Sequence, residues 1–121
     1  ASIVWTGTEY GVVYCGTVSG SRGVFLTRVD VNGRKTGPDM TVASSVGNYE
    51  RPALTWNGAN YAVVWSDSMG VWFRLLDSTG LPLGEALQIS PVGSNPDVVW
   101  SGQEFGVAWG SNLGFRRIDQ R

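Results

Sequence analysis

Histidine is absent from this 121-residue chain, and cysteine occurs once, at Cys15. The first absence removes the commonest general base, the commonest zinc ligand and the central member of Ser/His/Asp and Cys/His nucleophilic systems. The second removes any internal disulfide, so cysteine usage fits either redox compartment. Charged residues make up only 16% of the chain and leave a net charge of −1, with no basic cluster beyond Arg116 and Arg117. That pattern offers no electrostatic footprint for nucleic acid or an anionic membrane, and neither is an expected partner. No window carries apolar residues at i, i+3, i+4 and i+7, and no apolar run is long enough to span a bilayer, so neither amphipathic helices nor membrane insertion is expected. Paired carboxylates at a usable spacing, a phosphate-cradling glycine loop and a metal-ligand cluster are also missing. The expectation is a protein that is not an enzyme and needs no cofactor or metal. Beginning at Ala1 without a recognisable signal peptide, the chain reads as a processed form or a piece of a longer one.

What the chain does have is seventeen glycines, six tryptophans and a motif written three times. The copies are Ile3 to Tyr14 (IVWTGTEYGVVY), Pro52 to Trp65 (PALTWNGANYAVVW) and Val98 to Trp109 (VVWSGQEFGVAW). In each, a Trp (Trp5, Trp56, Trp100) is followed two residues later by Gly, then an aromatic (Tyr10, Tyr61, Phe105), then Val, then a second aromatic nine residues after the Trp (Tyr14, Trp65, Trp109). An extended run ending in Trp, a polar Gly-containing connection and a return run with alternating faces predict a β-hairpin. Cys15 matches Ser66 and Gly110 in the other copies, small residues at a strand end, and reads as a packed thiol.

In chain order, strands are expected at Ser2 to Trp5, Tyr10 to Tyr14, Val24 to Val29 and Met40 to Ala43, with GTVSGSRG (16–23) as a loop. The second set is Ala53 to Trp56, Tyr61 to Trp65, Val71 to Leu76 and Ala86 to Ser90; the third is Asp97 to Trp100, Phe105 to Trp109 and Gly114 to Ile118. The chain is thus one repeat domain over 1–121, with units 1–51, 52–95 and 96–121, the last lacking its fourth strand. Asp30 and Asp77 open Asp-x-x-Gly turns, and Asp119 ends a strand at the same place in unit three. A hydrogen-bonded turn Asp is the reading for this position, since one carboxylate per unit is too sparse for calcium.

Repeat spacings of 51 residues (Trp5 to Trp56) and 44 residues (Trp56 to Trp100) are those of a propeller blade. The chain also resembles a β-propeller repeat family of bacterial surface and secreted proteins, through Pro52, Trp56, Asn57, Gly58, Tyr61, Val63, Val64, Trp65, Asp67, Asp77 and Gly80. Unit one departs from that pattern at Tyr14, and units one and three have no equivalent of Asp67. The expected fold is all-β, a β-propeller of four-stranded antiparallel blades with about three blades per chain; a β-trefoil, also built from three such units, is the alternative. The resemblance implies an extracellular or cell-surface location and no single activity.

Tryptophans invite a sugar-binding reading, but five of the six fall on repeated hairpin positions and read as framework. Trp72, whose equivalents are Phe25 and Gly114, is the exception. The copies differ in length between strands two and three and between the turn Gly and the next Trp, and in a meander both connections share one edge. Recognition is expected there, from Arg22, Asn48, Tyr49, Glu50, Arg51, Asp67, Trp72, Asn95 and Asn112. The functional expectation is a non-catalytic recognition module, lectin-like and carbohydrate-binding, with a glycan or a surface protein as partner; the alternative is a structural or protein-interaction segment of a larger surface propeller with no small ligand. Because a propeller ring takes about 4–8 blades, two chains head to tail, a homodimer, are favoured over a monomer, which the trefoil would give.

Overall fold

Residues 1–18, 20–44 and 50–119 are described by the structure, a computed structural model. Among them are eleven strands and no helix: β1 (Ser2–Trp5), β2 (Tyr10–Val18), β3 (Ser21–Val29), β4 (Met40–Ser44), β5 (Glu50–Trp56), β6 (Tyr61–Asp67), β7 (Gly70–Leu76), β8 (Leu87–Ser90), β9 (Ser94–Trp100), β10 (Phe105–Gly110) and β11 (Gly114–Ile118). They form three antiparallel sheets, β1-β2-β3-β4, β5-β6-β7-β8 and β11-β10-β9, each a meander in which neighbours in sequence are neighbours in space.

Each first hairpin is closed by an aromatic pair. Trp5 faces Tyr10, Trp56 faces Tyr61 and Trp100 faces Phe105 across the ladder, with ring centroids 4.8, 4.8 and 4.7 Å apart. The connection is held by the polar residue after the Trp. Asn57 Oδ1 accepts the N–H groups of Ala59 and Asn60 at 2.9 and 2.7 Å, Ser101 Oγ those of Gln103 and Glu104 at 3.2 and 3.1 Å, and Thr6 Oγ1 that of Glu9 at 3.2 Å. A side chain standing in for a backbone turn leaves the next residue, Gly7, Gly58 or Gly102, at φ near +100° (103, 99 and 102°), which glycine adopts without penalty.

Residues 16–18 and 21–23, expected in a loop, are strand. Gly16 pairs with Gly23, Thr17 with Arg22 and Val18 with Ser21, so β2 runs four residues beyond its expected end at Tyr14 and β3 begins three residues before Val24. Glycine and serine are poor strand formers, but a ladder already zipped at Cys15 and Val24 carries them along at little further entropic cost. Unit one is therefore longer between its second and third strands because the hairpin is longer, and Arg22 lies within a strand. β5 and β9 also start earlier than expected, each across a bulge before Pro52 or Pro96, at Arg51 and Asn95.

Every strand pairing lies inside one sheet, and the sheets meet face to face. Each has an aromatic face, carrying positions such as Tyr61, Val63 and Trp65, and a reverse face, carrying positions such as Val13, Val24 and Leu26. The aromatic face of sheet two packs on the reverse face of sheet one through Val13, Val24, Leu26, Val42, Leu54, Tyr61, Val63, Trp65 and Leu76. The aromatic face of sheet three packs on the reverse face of sheet two through Ala62, Val64, Val71, Phe73, Val98, Phe105 and Val107. β5 contacts both β1 and β9, so the first strands lie side by side. Sheet two is buried on both faces, at about 1.5–3 kcal/mol for each large side chain taken out of water.

Candidate functional site

Alternate connections of a meander fall on one edge, and here that edge carries the β2–β3, β6–β7 and β10–β11 turns with the entries to β5 and β9. Its most structured feature is the β6–β7 hairpin. Asp67 faces Gly70 across a two-residue turn, Ser68-Met69, with Gly70 at φ 120°. Asp67 Oδ1 accepts the Met69 N–H at 2.8 Å and the Trp72 indole Nε1–H at 3.0 Å. The carboxylate thus closes the turn and aims the indole, whose ring packs half-buried against the cluster between sheets one and two. The Met69 carbonyl accepts Gln88 Nε2–H at 2.5 Å, tying the turn to β8.

The other expected residues are spread along the edge. Arg22 is exposed at the start of β3, and Asn112 is exposed in the β10–β11 turn. Arg51 and Asn95 occupy equivalent places in units two and three, both exposed and both left-handed, at φ 33° and 49°. Glu50 begins β5 opposite Ser66, while Asn48 and Tyr49 lie outside the described residues. Of these residues, Asp67 and Trp72 are brought into direct contact. Ser94 and Ser111, not anticipated, join the β9 entry to the β10–β11 turn through their hydroxyls at 3.2 Å. The described edge offers amide, guanidinium and hydroxyl groups with one oriented indole, the chemistry of hydrogen-bonding and stacking.

The turn aspartates act as the sequence suggested. Asp30 Oδ1 accepts the N–H groups of Asn32 and Arg34 at 2.8 and 3.0 Å, and Asp77 Oδ1 those of Thr79 and Leu81 at 2.8 and 3.0 Å. The Thr79 hydroxyl first, then these backbone donors, hold the Asp77 carboxyl below its usual range. Cys15 packs half-buried against the first core cluster.

Two polar groupings were not foreseen. On the aromatic face of sheet one the Tyr14 hydroxyl donates to Asp39 Oδ2, and Lys35 Nζ lies 2.5 Å from Asp39 Oδ1. Burial, then Asp39, pushes the Tyr14 hydroxyl up to about 12; the Lys35 ammonium, then Tyr14, holds Asp39 low. The second grouping bridges sheets one and two. Tyr61 donates its hydroxyl to Glu9 Oε2 at 3.1 Å, and Arg28 Nη1 lies 3.3 Å from Glu9 Oε1. Burial, then the Glu9 charge, raises the Tyr61 hydroxyl above its usual range. A legible signal existed, since Glu9 and Glu104 fill the same place in units one and three. A groove of about 130 Å³, lined by Asp97, Val98, Val99, Gly106, Ala108 and Phe115, lies on the reverse face of sheet three, away from the loop edge. Comparison with known proteins finds no matching family, no matching curated protein and no matching solved structure.

Proposed function

We propose that this chain is a non-catalytic recognition module whose loop edge binds a neutral polar ligand, with carbohydrate as the ligand class. The observation that carries the reading is the Trp72 indole, held by Asp67 at the loop edge of a sheet buried on both faces. A fixed aromatic ring on an edge that also carries exposed Arg51, Asn95 and Asn112 suits stacking on a sugar and hydrogen-bonding to its hydroxyls. Rigid placement lowers the ordering cost that weak polar ligands otherwise impose. The fold reading that goes with it is a segment of a β-propeller. Three features favour that over a trefoil: pairing confined to each unit, sheets stacked face to face, and first strands side by side; a trefoil pairs strands of different units into one barrel. Propellers are common among secreted and surface proteins, and that is the location we assign.

Glycan-array screening followed by titration tests the ligand class. The expected result is binding to a subset of glycans, with Trp72→Phe weakening it about tenfold, the loss of one indole contact. Silence on glycans, polysaccharides and cell surfaces alike would overturn the lectin form. The exposed apolar faces at either end of the stack favour a second reading, assembly through protein contacts.

A further inference from the structure

The two sheet-to-sheet contacts inside the chain follow one rule. At the first, Tyr61 of sheet two lies on Gly11 of sheet one so closely that a Cβ there would overlap its ring. Its hydroxyl then reaches Glu9, which Arg28 holds in place. At the second contact the positions of Glu9, Gly11 and Arg28 are filled by Asn60, Ala62 and Leu75, and the incoming ring is Phe105, with no hydroxyl to place. Receiver and ring change together: Glu and Arg accompany Tyr, Asn and Leu accompany Phe.

Sheet three restores the charged receiver. Glu104 and Arg117 stand where Glu9 and Arg28 stand, with Nη1 and Oε1 3.5 Å apart. Gly106 stands where Gly11 stands, and the nearest atoms to a Cβ there are the Phe115 ring at 3.4 Å and Val99 at 3.6 Å, both of its own sheet. The groove beside it is open. These residues form a seat for a tyrosine whose ring comes from another sheet. The aromatic face left uncovered in the chain, that of sheet one, carries Tyr10 at the matching position, 40% exposed beside Trp5 at 46% and Ile3 at 63%.

We propose that the reverse face of sheet three docks the aromatic face of sheet one of a second copy of this chain, with Tyr10 of that copy resting on Gly106 and donating its hydroxyl to Glu104. The apolar surfaces match as well: Val99, Leu113 and Phe115, 61, 87 and 64% exposed, sit where Thr55, Val71 and Phe73 sit in sheet two, beneath an incoming aromatic face. The contact joins unlike surfaces, so copies add head to tail and close into a ring when the rotation permits. Closure with two copies rests on the propeller reading; the contact itself does not, and it is independent of what the loop edge binds.

Light scattering on the purified chain across a range of concentration, combined with a double-mutant cycle, tests the contact. The expected mass is at least twice 13.0 kDa, with a melting temperature that rises with concentration. Tyr10→Phe and Glu104→Ala each weaken association about tenfold, as for one hydrogen bond to a charged group, and the double variant is no weaker than either alone. Within one copy these residues belong to sheets one and three, so coupling between them reports contact between copies. Gly106→Leu, on an open surface, gives a folded monomer. A wild-type chain that stays monomeric, an assembly indifferent to Gly106→Leu, or additive effects of Tyr10→Phe and Glu104→Ala would each overturn the proposal. A monomer that binds glycans would sink the assembly alone, and an assembly that binds none would sink only the ligand reading.

Discussion

The Trp72 indole N–H is donated to Asp67 Oδ1 at 3.0 Å, from β7 back to the end of β6, and the same oxygen takes the Met69 N–H at 2.8 Å. One carboxylate therefore serves both the turn and the ring above it. Asp67→Ala leaves a half-buried indole N–H and a turn amide without their acceptor and costs about 1–2 kcal/mol. Asp67→Asn keeps an acceptor at Oδ1 and costs less than half of that. Urea unfolding of both variants checks the ordering; equal losses would show that the charge, and not the acceptor, matters.

Trp65 is 2% exposed in the core between sheets one and two, whereas Trp5, on the uncovered aromatic face, is 46% exposed. Trp65→Ala is expected to lower stability by about 3–5 kcal/mol. Trp5→Ala, measured at concentrations where the chain is monomeric, is expected to cost about 1 kcal/mol, chiefly through its ring contact with Tyr10. Chemical denaturation of the two variants side by side reads the difference directly.

Arg51 and Asn95 precede Pro52 and Pro96 with φ of 33° and 49°. A left-handed conformation suits Asn better than Arg and suits a β-branched residue least. Arg51→Asn should therefore stabilise by about 0.5 kcal/mol, and Asn95→Val should destabilise by about 1–2 kcal/mol. Thermal melts of the two variants decide the matter; a neutral Asn95→Val would mean that the backbone relaxes there.

The tyrosines set the alkaline limit. Tyr14 and Tyr61 hold their protons more tightly in the folded chain than the ordinary 10.0, Tyr14 up to about 12, through burial first and then Asp39 and Glu9 respectively. Their contribution is full below about pH 10 and is lost as pH rises through the folded values. Asp39 and Asp77 lie below the ordinary 3.8, so what they contribute is present above that value and lost as pH falls beneath it. Melting temperature against pH should fall at both ends, with Tyr14→Phe flattening the alkaline limb and Asp39→Asn the acid one. Limbs unchanged in these variants would contradict the assignment.

Much of the architecture was legible because local chemistry repeats. The Trp–Tyr spacing marks the first hairpins, and Asp-x-x-Gly marks turns in which Asp30 and Asp77 do accept the backbone amides. Residues 16–18 and 21–23 misled because glycine and serine favour loops when taken alone, while the register set by Cys15 and Val24 draws them into the ladder. At the loop edge, Asp67 and Trp72 were picked out singly. Their contact depends on the two-residue turn ending at Gly70, which brings positions five apart onto one side. The recurrence of Glu9 as Glu104 marks the position in the sequence, but its partner Tyr61 lies 52 residues away and is supplied by sheet-on-sheet packing.

Burial of sheet two on both faces also fixes the order in which the molecule comes apart. In a stack where each layer touches only its neighbours, stability is a sum of layer and contact terms along one dimension. The middle layer has two contacts and each end layer one. Amide hydrogen exchange should accordingly be slowest in β6 and β7, where Tyr61 to Ser66 are all buried, and should quicken outward toward β11. Opening begins at the ends and the centre yields last, so an end layer can detach while the remaining two stay joined, and any covering of the outer faces raises the barrier for the whole stack.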